Sequence, residues 1–194
     1  MNEMQKAYLS KNVLIVFGRV TEDTFLYLHE AIFGHFLLME KIPDLTLFIT
    51  TRGGGYSLQI WDLLRSYPGE ITGVVVGYAR SAGAMILQAC DKRLATPNSD
   101  ILIHNGIAGD VPYDIIMDDT KLQLHIKNAR EEAERRYWIF SERSRKTVAA
   151  VKSLCAEDRT MSVKEALEFG LLDGVISTHL PVSLEKGVQE AVFK

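Results

Sequence analysis

Ile71-Thr-Gly-Val-Val-Val-Gly-Tyr-Ala-Arg-Ser-Ala-Gly-Ala-Met-Ile-Leu87 is the stretch on which the reading of this chain turns. Ile71 to Val76 is an unbroken apolar run rich in β-branched residues, the pattern of a strand buried on both faces. A small-residue turn, Gly77 to Gly83, follows, and a helix over Ala82 to Cys90 resumes the apolar pattern at once. A strand that bends this sharply into a helix projects the side chain at the bend, here Ser81, beside the first free N–H groups of the helix. A serine hydroxyl alone is a weak nucleophile. It needs a base, a group to orient that base, and donors for the negative charge that develops on the substrate.

Working outward, Val13 to Phe17 reads as a buried strand between Asn12 and Gly18. Thr21 opens a helix whose apolar positions Phe25, Leu28, Ile32 and Leu37 recur near helical spacing, and Pro43-Asp44 ends it. Leu45 to Thr50 is a second strand, Ser57 to Ser66 a helix, and Ile101 to Ile103 a short strand after the turn Pro97-Asn98-Ser99-Asp100. Strands alternating with helices predict right-handed βαβ units and a mainly parallel sheet, an α/β fold in a single domain over residues 1–194. From Pro112 to about Val151 the chain becomes a long charged helical stretch carrying Ala129, Ala133, Tyr137, Trp138 and Phe140. Its apolar stripe is expected to bury against another subunit. Ser162-x-x-Glu165 is a capping box opening a last helix to Phe169, with Gly170 as its stop and Val175-Ile176 as an edge strand.

Bulk properties narrow the function classes. A formal net charge of −3 and a pI near 6.0 argue against a nucleic-acid surface. The two cysteines, Cys90 and Cys155, lack C-x-x-C spacing, which disfavours a zinc ribbon or disulfide framework and fits a reducing, cytoplasmic setting. The apolar run Ala31 to Met39 is broken by Gly34 and His35 and falls short of the roughly 18 residues of a membrane span. Met1 to Lys11 is polar and lacks the apolar core of a secretory signal.

The first candidate base is His104, at the end of the Ile101 to Ile103 strand, where open α/β sheets place their sites. A packed strand-end histidine is the competing reading. His29, His35, His125 and His179 read as solvated or packed. Gly53-Gly54-Gly55, directly after a strand, lets the backbone approach a ligand with its N–H groups turned inward. It lacks the Lys-Ser/Thr ending of a phosphate loop, so an oxyanion hole is the better fit. For the orienting carboxylate, Asp158, Asp173, Asp110 and Asp100 all stay open, with Asp158 favoured by its place just before the Ser162 capping box.

In order along the chain, these segments resemble the ClpP family, the proteolytic subunits of Clp protease. Ile49-Thr-Thr-Arg-Gly-Gly-Gly55 stands where that family carries Ile-Asn-Ser-Pro-Gly-Gly, and Gly77-Tyr-Ala-Arg-Ser-Ala-Gly-Ala84 is similar to Gly-x-Ala-Ala-Ser-Met-Gly-Ala. Pro97-Asn-Ser-Asp-Ile-Leu-Ile-His104 matches Pro-Asn-Ser-x-x-x-Ile-His. Asp158-Arg-Thr-Met-Ser-Val-Lys-Glu-Ala166 and Glu168-Phe-Gly-Leu-Leu-Asp173 match Asp-Arg-x-x-Ser-x-x-Glu-Ala and Glu-Tyr-Gly-Leu-Val-Asp. The resemblance implies a ClpP/crotonase-like spiral of ββα units with a protruding helical handle over about 112–151. It implies a serine endopeptidase acting on peptides or unfolded polypeptides, with Ser81 as nucleophile, His104 as base and acid, Asp158 holding the imidazole, and the backbone of Gly54 and Ala82 facing the oxyanion. It further implies no cofactor or metal, stacked and usually heptameric rings, a ring-interface role for Arg159, and an AAA+ unfoldase as partner.

Four departures qualify that pattern. Arg52 replaces a proline beside the glycine run, and the following stretch to Trp61 is shorter, which leaves Gly53 and Gly55 open as alternative donors. Arg80 replaces a small residue next to Ser81, where a cation would bias substrate choice or pair with a carboxylate. The segment between His104 and Asp158 is a few residues longer than usual. Twelve residues precede Val13, so the family's axial loop and much of its first helix are expected to be absent, leaving unfoldase docking open. Three other readings compete: a crotonase-like acyl-CoA enzyme, which needs no serine at the turn; an α/β-hydrolase, whose chain order is Ser…Asp…His rather than Ser…His…Asp; and a catalytically silent ring or scaffold subunit.

Overall fold

A computed structural model describes residues 3–106 and 111–176. Helix α1 (Glu3–Leu9) leads into strand β1 (Val13–Val20), followed by α2 (Glu22–Gly34) and a short 3-10 turn, Phe36–Leu38. Then come β2 (Leu45–Gly54), α3 (Ser57–Arg65), β3 (Ile71–Arg80), α4 (Ala82–Ala89), β4 (Lys92–Ala95) and β5 (Asp100–Leu102). The second half is α5 (Tyr113–Ile116), α6 (Asp119–Ser144), α7 (Val148–Glu157), β6 (Met161–Ser162), α8 (Val163–Phe169) and β7 (Gly174–Val175).

The α/β reading holds. Strands β1, β2, β3, β4 and β7 lie side by side in that order, all parallel, with β7 at the edge. Apolar strand residues such as Leu14, Leu47, Ile49, Val75 and Ala79 pack with Leu28 and Ile32 of α2 and Ile60 and Leu64 of α3 into one buried cluster. Each fully buried aliphatic side chain contributes roughly 1.5–3 kcal/mol. Helix α4 is buried at all eight positions, which explains a sequence apolar all round rather than on one stripe.

Strand β3 exceeds its predicted length and forks. Thr72 to Val75 pair with β4, and Tyr78 to Arg80 pair with β5. The stretch read as a small-residue turn is therefore strand up to Arg80, and the bend is confined to Ser81. Strands β4 and β6 were not anticipated. Residues 3–9 form α1 where the sequence suggested no element.

The charged helical stretch is three helices, broken first at Met117–Asp118 and again where Arg145 takes a left-handed conformation at φ 57°. Asp118 caps α6 by accepting from the N–H groups of Thr120 and Lys121 at 3.0 and 3.1 Å. The far end of α6 folds back on its own domain, burying Ile139, Phe140 and Ser144 near α4. Trp138, at 57% exposure, and Leu124 remain outside. The expectation that the apolar stripe of this stretch buries against another subunit is thus corrected for its last turns, which bury against their own domain. Among the described residues no helix is long and apolar enough to cross a membrane.

Candidate active site

The two predicted groups meet because of strand register. Arg80 lies opposite Leu102 in the parallel pair β3–β5, so each strand delivers its next residues to the same corner of the sheet. The N–H of Ser81 donates to the Leu102 carbonyl at 2.8 Å, and the ring of His104, two residues further on, places Nε2 2.8 Å from Ser81 Oγ. Ser81 sits at φ 55°, ψ −117°, a conformation that costs of order 1–3 kcal/mol and persists only where its surroundings enforce it. Enforcement comes from both sides: β3 is locked into the sheet, and α4 is locked into the core.

Asp158 arrives by a different route. Strand β6 runs antiparallel to β5 with Ile101 opposite Met161, so each step forward on one chain is a step back on the other. Three steps bring His104 level with Asp158. Its Oδ1 lies 3.6 Å from His104 Nδ1, longer than a hydrogen bond of ordinary length, and its side chain is 70% exposed against 13% for His104.

The other carboxylates are committed elsewhere. Asp100 is held bidentately by Arg80, at 2.7 Å to Nε and 2.6 Å to the terminal nitrogen. Asp173 is bonded to the buried Arg93 guanidinium, which also reaches Gln88 and the carbonyls of Arg143 and Gly170. Burial alone would raise the Asp173 carboxyl, but Arg93 holds it below the usual carboxylate range. Asp110 and His179 lie outside the described residues.

The glycine run closes the far side of Ser81. A Cβ on Gly53, at φ 105°, would stand 2.5 Å from Ser81 Cβ, and one on Gly54 would collide with the Val20 carbonyl. Both positions therefore require glycine. The Gly53 N–H donates to Thr51 Oγ1 at 2.9 Å and the Gly55 N–H to the Val20 carbonyl at 3.1 Å, which commits both alternative donors. Ala82 is the first residue of α4, where helix geometry leaves the N–H without an intrahelical acceptor. Neither cysteine competes as nucleophile. Burial pushes the Cys90 thiol up to about 12 and the Cys155 thiol up to about 11, far from the thiolate that cysteine chemistry needs.

The Clp protease family model matches residues 3–179. The chain belongs to the Clp protease family. Membership in the Clp protease family supports a protease, and the parallel sheet flanked by helices agrees with the ClpP-like fold. Several residues that support this Clp protease corner were not singled out for a role from the sequence. Thr51 is fully buried; besides accepting from Gly53 it sets its methyl against Gly83 of α4, which leaves no space there for a Cβ. The Ser99 hydroxyl contacts the Gly77 N–H, the Val75 carbonyl and Thr96 Oγ1, tying β3 to the turn before β5. Tyr137 of α6 donates to Asn105 Oδ1 at 2.9 Å, anchoring the residue after His104 to the handle. A β-branched residue before a glycine run was the one available clue to Thr51; the other two contacts join segments far apart in the chain.

Arg159 binds within its own chain, to Glu157 at 2.7 Å and Glu165 at 2.8 Å. Hydrogen bonds from the Ser162 N–H and hydroxyl, together with Arg159, pull the Glu165 carboxyl down to about 2.

Proposed function

We propose that this chain is a serine endopeptidase that cleaves peptides and unfolded polypeptides through an acyl-enzyme. The observation that carries the reading is the 2.8 Å contact between Ser81 Oγ and His104 Nε2 at a strained strand-to-helix bend. His104 Nε2 takes the Ser81 proton as Oγ bonds to the scissile carbonyl carbon; the imidazolium then gives that proton to the leaving amine as the C–N bond breaks. Water, deprotonated in turn by His104, releases the acyl group and restores the hydroxyl. The N–H groups of Gly54 and Ala82 take the oxyanion, each such donor being worth about 10²–10³ in rate. Asp158 faces Nδ1 and holds the tautomer that leaves Nε2 free to accept.

The exposed Asp158 and the outward Trp138 and Leu124 of α6 support an assembly in which neighbouring copies cover both. Stacked homo-oligomeric rings, heptameric as in the family, would enclose the site in a chamber, with Arg159 at the interface and an AAA+ unfoldase as a candidate feeder. The setting proposed is cytoplasmic.

A fluorophosphonate probe tests the reading, with intact mass for labelling and light scattering for size. One adduct per subunit on a large ring, absent in Ser81→Ala, is the expected result. No adduct on a well-formed ring would overturn it in favour of a silent scaffold subunit.

A further inference from the structure

Arg52 and Arg80 both approach the Tyr78 ring, their guanidinium carbons 5.9 and 5.4 Å from its centroid. Their charges are used differently. Arg80 is neutralised by its fork onto Asp100, so the cation beside the nucleophile has no charge to spare for a ligand. Arg52 is exposed, and among the described residues its only partner is the Tyr78 ring. Arg19, also exposed and without a carboxylate partner among the described residues, lies opposite Gly53 in the β1–β2 register.

Position makes these two charges relevant. Gly53 is the residue whose Cα abuts Ser81, and Arg52 is its chain neighbour, one Cα step of about 3.8 Å away. Two arginines without a carboxylate partner among the described residues thus stand beside and opposite Gly53, on the backbone that abuts Ser81, in a chain whose net charge is −3. A flat aromatic face under Arg52 limits the freedom of its guanidinium and leaves its N–H donors available, the arrangement suited to a carboxylate.

We infer that Arg52, braced by Tyr78 and seconded by Arg19, forms a subsite for an acidic side chain, so that peptides with Glu or Asp within two residues of the scissile bond are preferred. This rests on the reading of Ser81 as a peptidase nucleophile. The pair forms in a solvent-accessible place, so the preference is modest, about two- to fivefold, and grows as salt is lowered.

The test uses short internally quenched peptides that differ only by Glu or Gln at single positions around the cleaved bond, with the assembled full-length protein. Wild type should show the two- to fivefold advantage for Glu in kcat/KM, Arg52→Ala should lose it, Arg52→Lys should keep part, and Arg52→Glu should turn it toward Lys-bearing peptides. Equal Glu and Gln rates in wild type and Arg52→Ala, with cleavage intact, would overturn the subsite and leave the peptidase reading standing. The same peptides, dye-labelled, are titrated against Ser81→Ala and Ser81→Ala/Arg52→Ala by fluorescence anisotropy. If wild type cleaves nothing, the peptidase reading falls, and anisotropy decides the subsite: a Glu preference that disappears with Arg52 sustains it, and no preference overturns it.

Discussion

His104 has two neighbours held by two kinds of structure. Toward Ser81 the contact is 2.8 Å and stands on strands β3 and β5, paired in register and backed by a helix buried at every position. Toward Asp158 the distance is 3.6 Å, and the carboxylate sits on a left-handed residue between α7 and the two-residue strand β6, mostly in solvent. A contact built in a core is insensitive to what surrounds the molecule. One built on the surface answers to whatever covers it. Ser81 and His104, the proposed nucleophile and base, are thus held together within one chain, whereas the orientation of His104 toward Asp158 depends on a corner that Arg159, Glu157 and Glu165 hold by exposed ion pairs, individually weak interactions.

The largest test of this contrast is Gly53→Ala. Its methyl would meet Ser81 Cβ at 2.5 Å and the Arg80 carbonyl at 2.9 Å at a φ that disfavours any side chain, so the nucleophile must shift. Displacements near 1 Å cost about 10²-fold, and a loss of at least that size in kcat, with a lowered Tm, is expected. Full activity in this variant would mean that the Ser81 side is not rigid.

Asp158→Asn comes next. Because the residue is exposed, Tm should barely move, as for surface substitutions, which stay within about 0.5 kcal/mol. Peptidase kcat should fall about 10- to 10²-fold, less than the roughly 10⁴ of a fully engaged triad carboxylate. A fall of the full 10⁴ would show that the 3.6 Å gap closes in the working enzyme, and no change would remove Asp158 from the mechanism.

The smallest effect concerns pH at the same corner. Glu165 titrates near 2 in the folded chain against an ordinary 4.5, so its stabilisation is present above 4.5 and is lost as pH falls toward 2. The Tm difference between wild type and Glu165→Gln should therefore shrink over that interval. A difference that stays constant across it would show that the Ser162 and Arg159 contacts do not act on the ionised carboxylate.

Legibility in the sequence followed the range of the interactions involved. Ser81 was readable because an apolar strand, a bend and a helix are consecutive, and the Ser162–Glu165 box because capping spans one turn; Glu165 indeed accepts from the Ser162 N–H at 2.8 Å. Strand β6 was not readable, since two residues carry no periodicity and exist as a strand only by pairing with β5. The role of Arg80 was left between substrate choice and ion pairing, and the β3–β5 register resolved it by placing Asp100 two residues behind the Leu102 that faces Arg80.

By itself the sequence determined the alternation of strands and helices, the bend at Ser81 and the glycine run, all products of local sterics and of burial patterns that neighbouring residues share. Only the tertiary structure decided that β3 forks between two partners, that β6 brings Asp158 level with His104, that Gly53 and Gly55 have spent their N–H groups, and that Arg80 is paired with Asp100 while Arg52 meets no carboxylate among the described residues. Those outcomes depend on hydrogen bonds and ion pairs between segments far apart in the chain, whose geometry exists only once the sheet has closed and the core has packed.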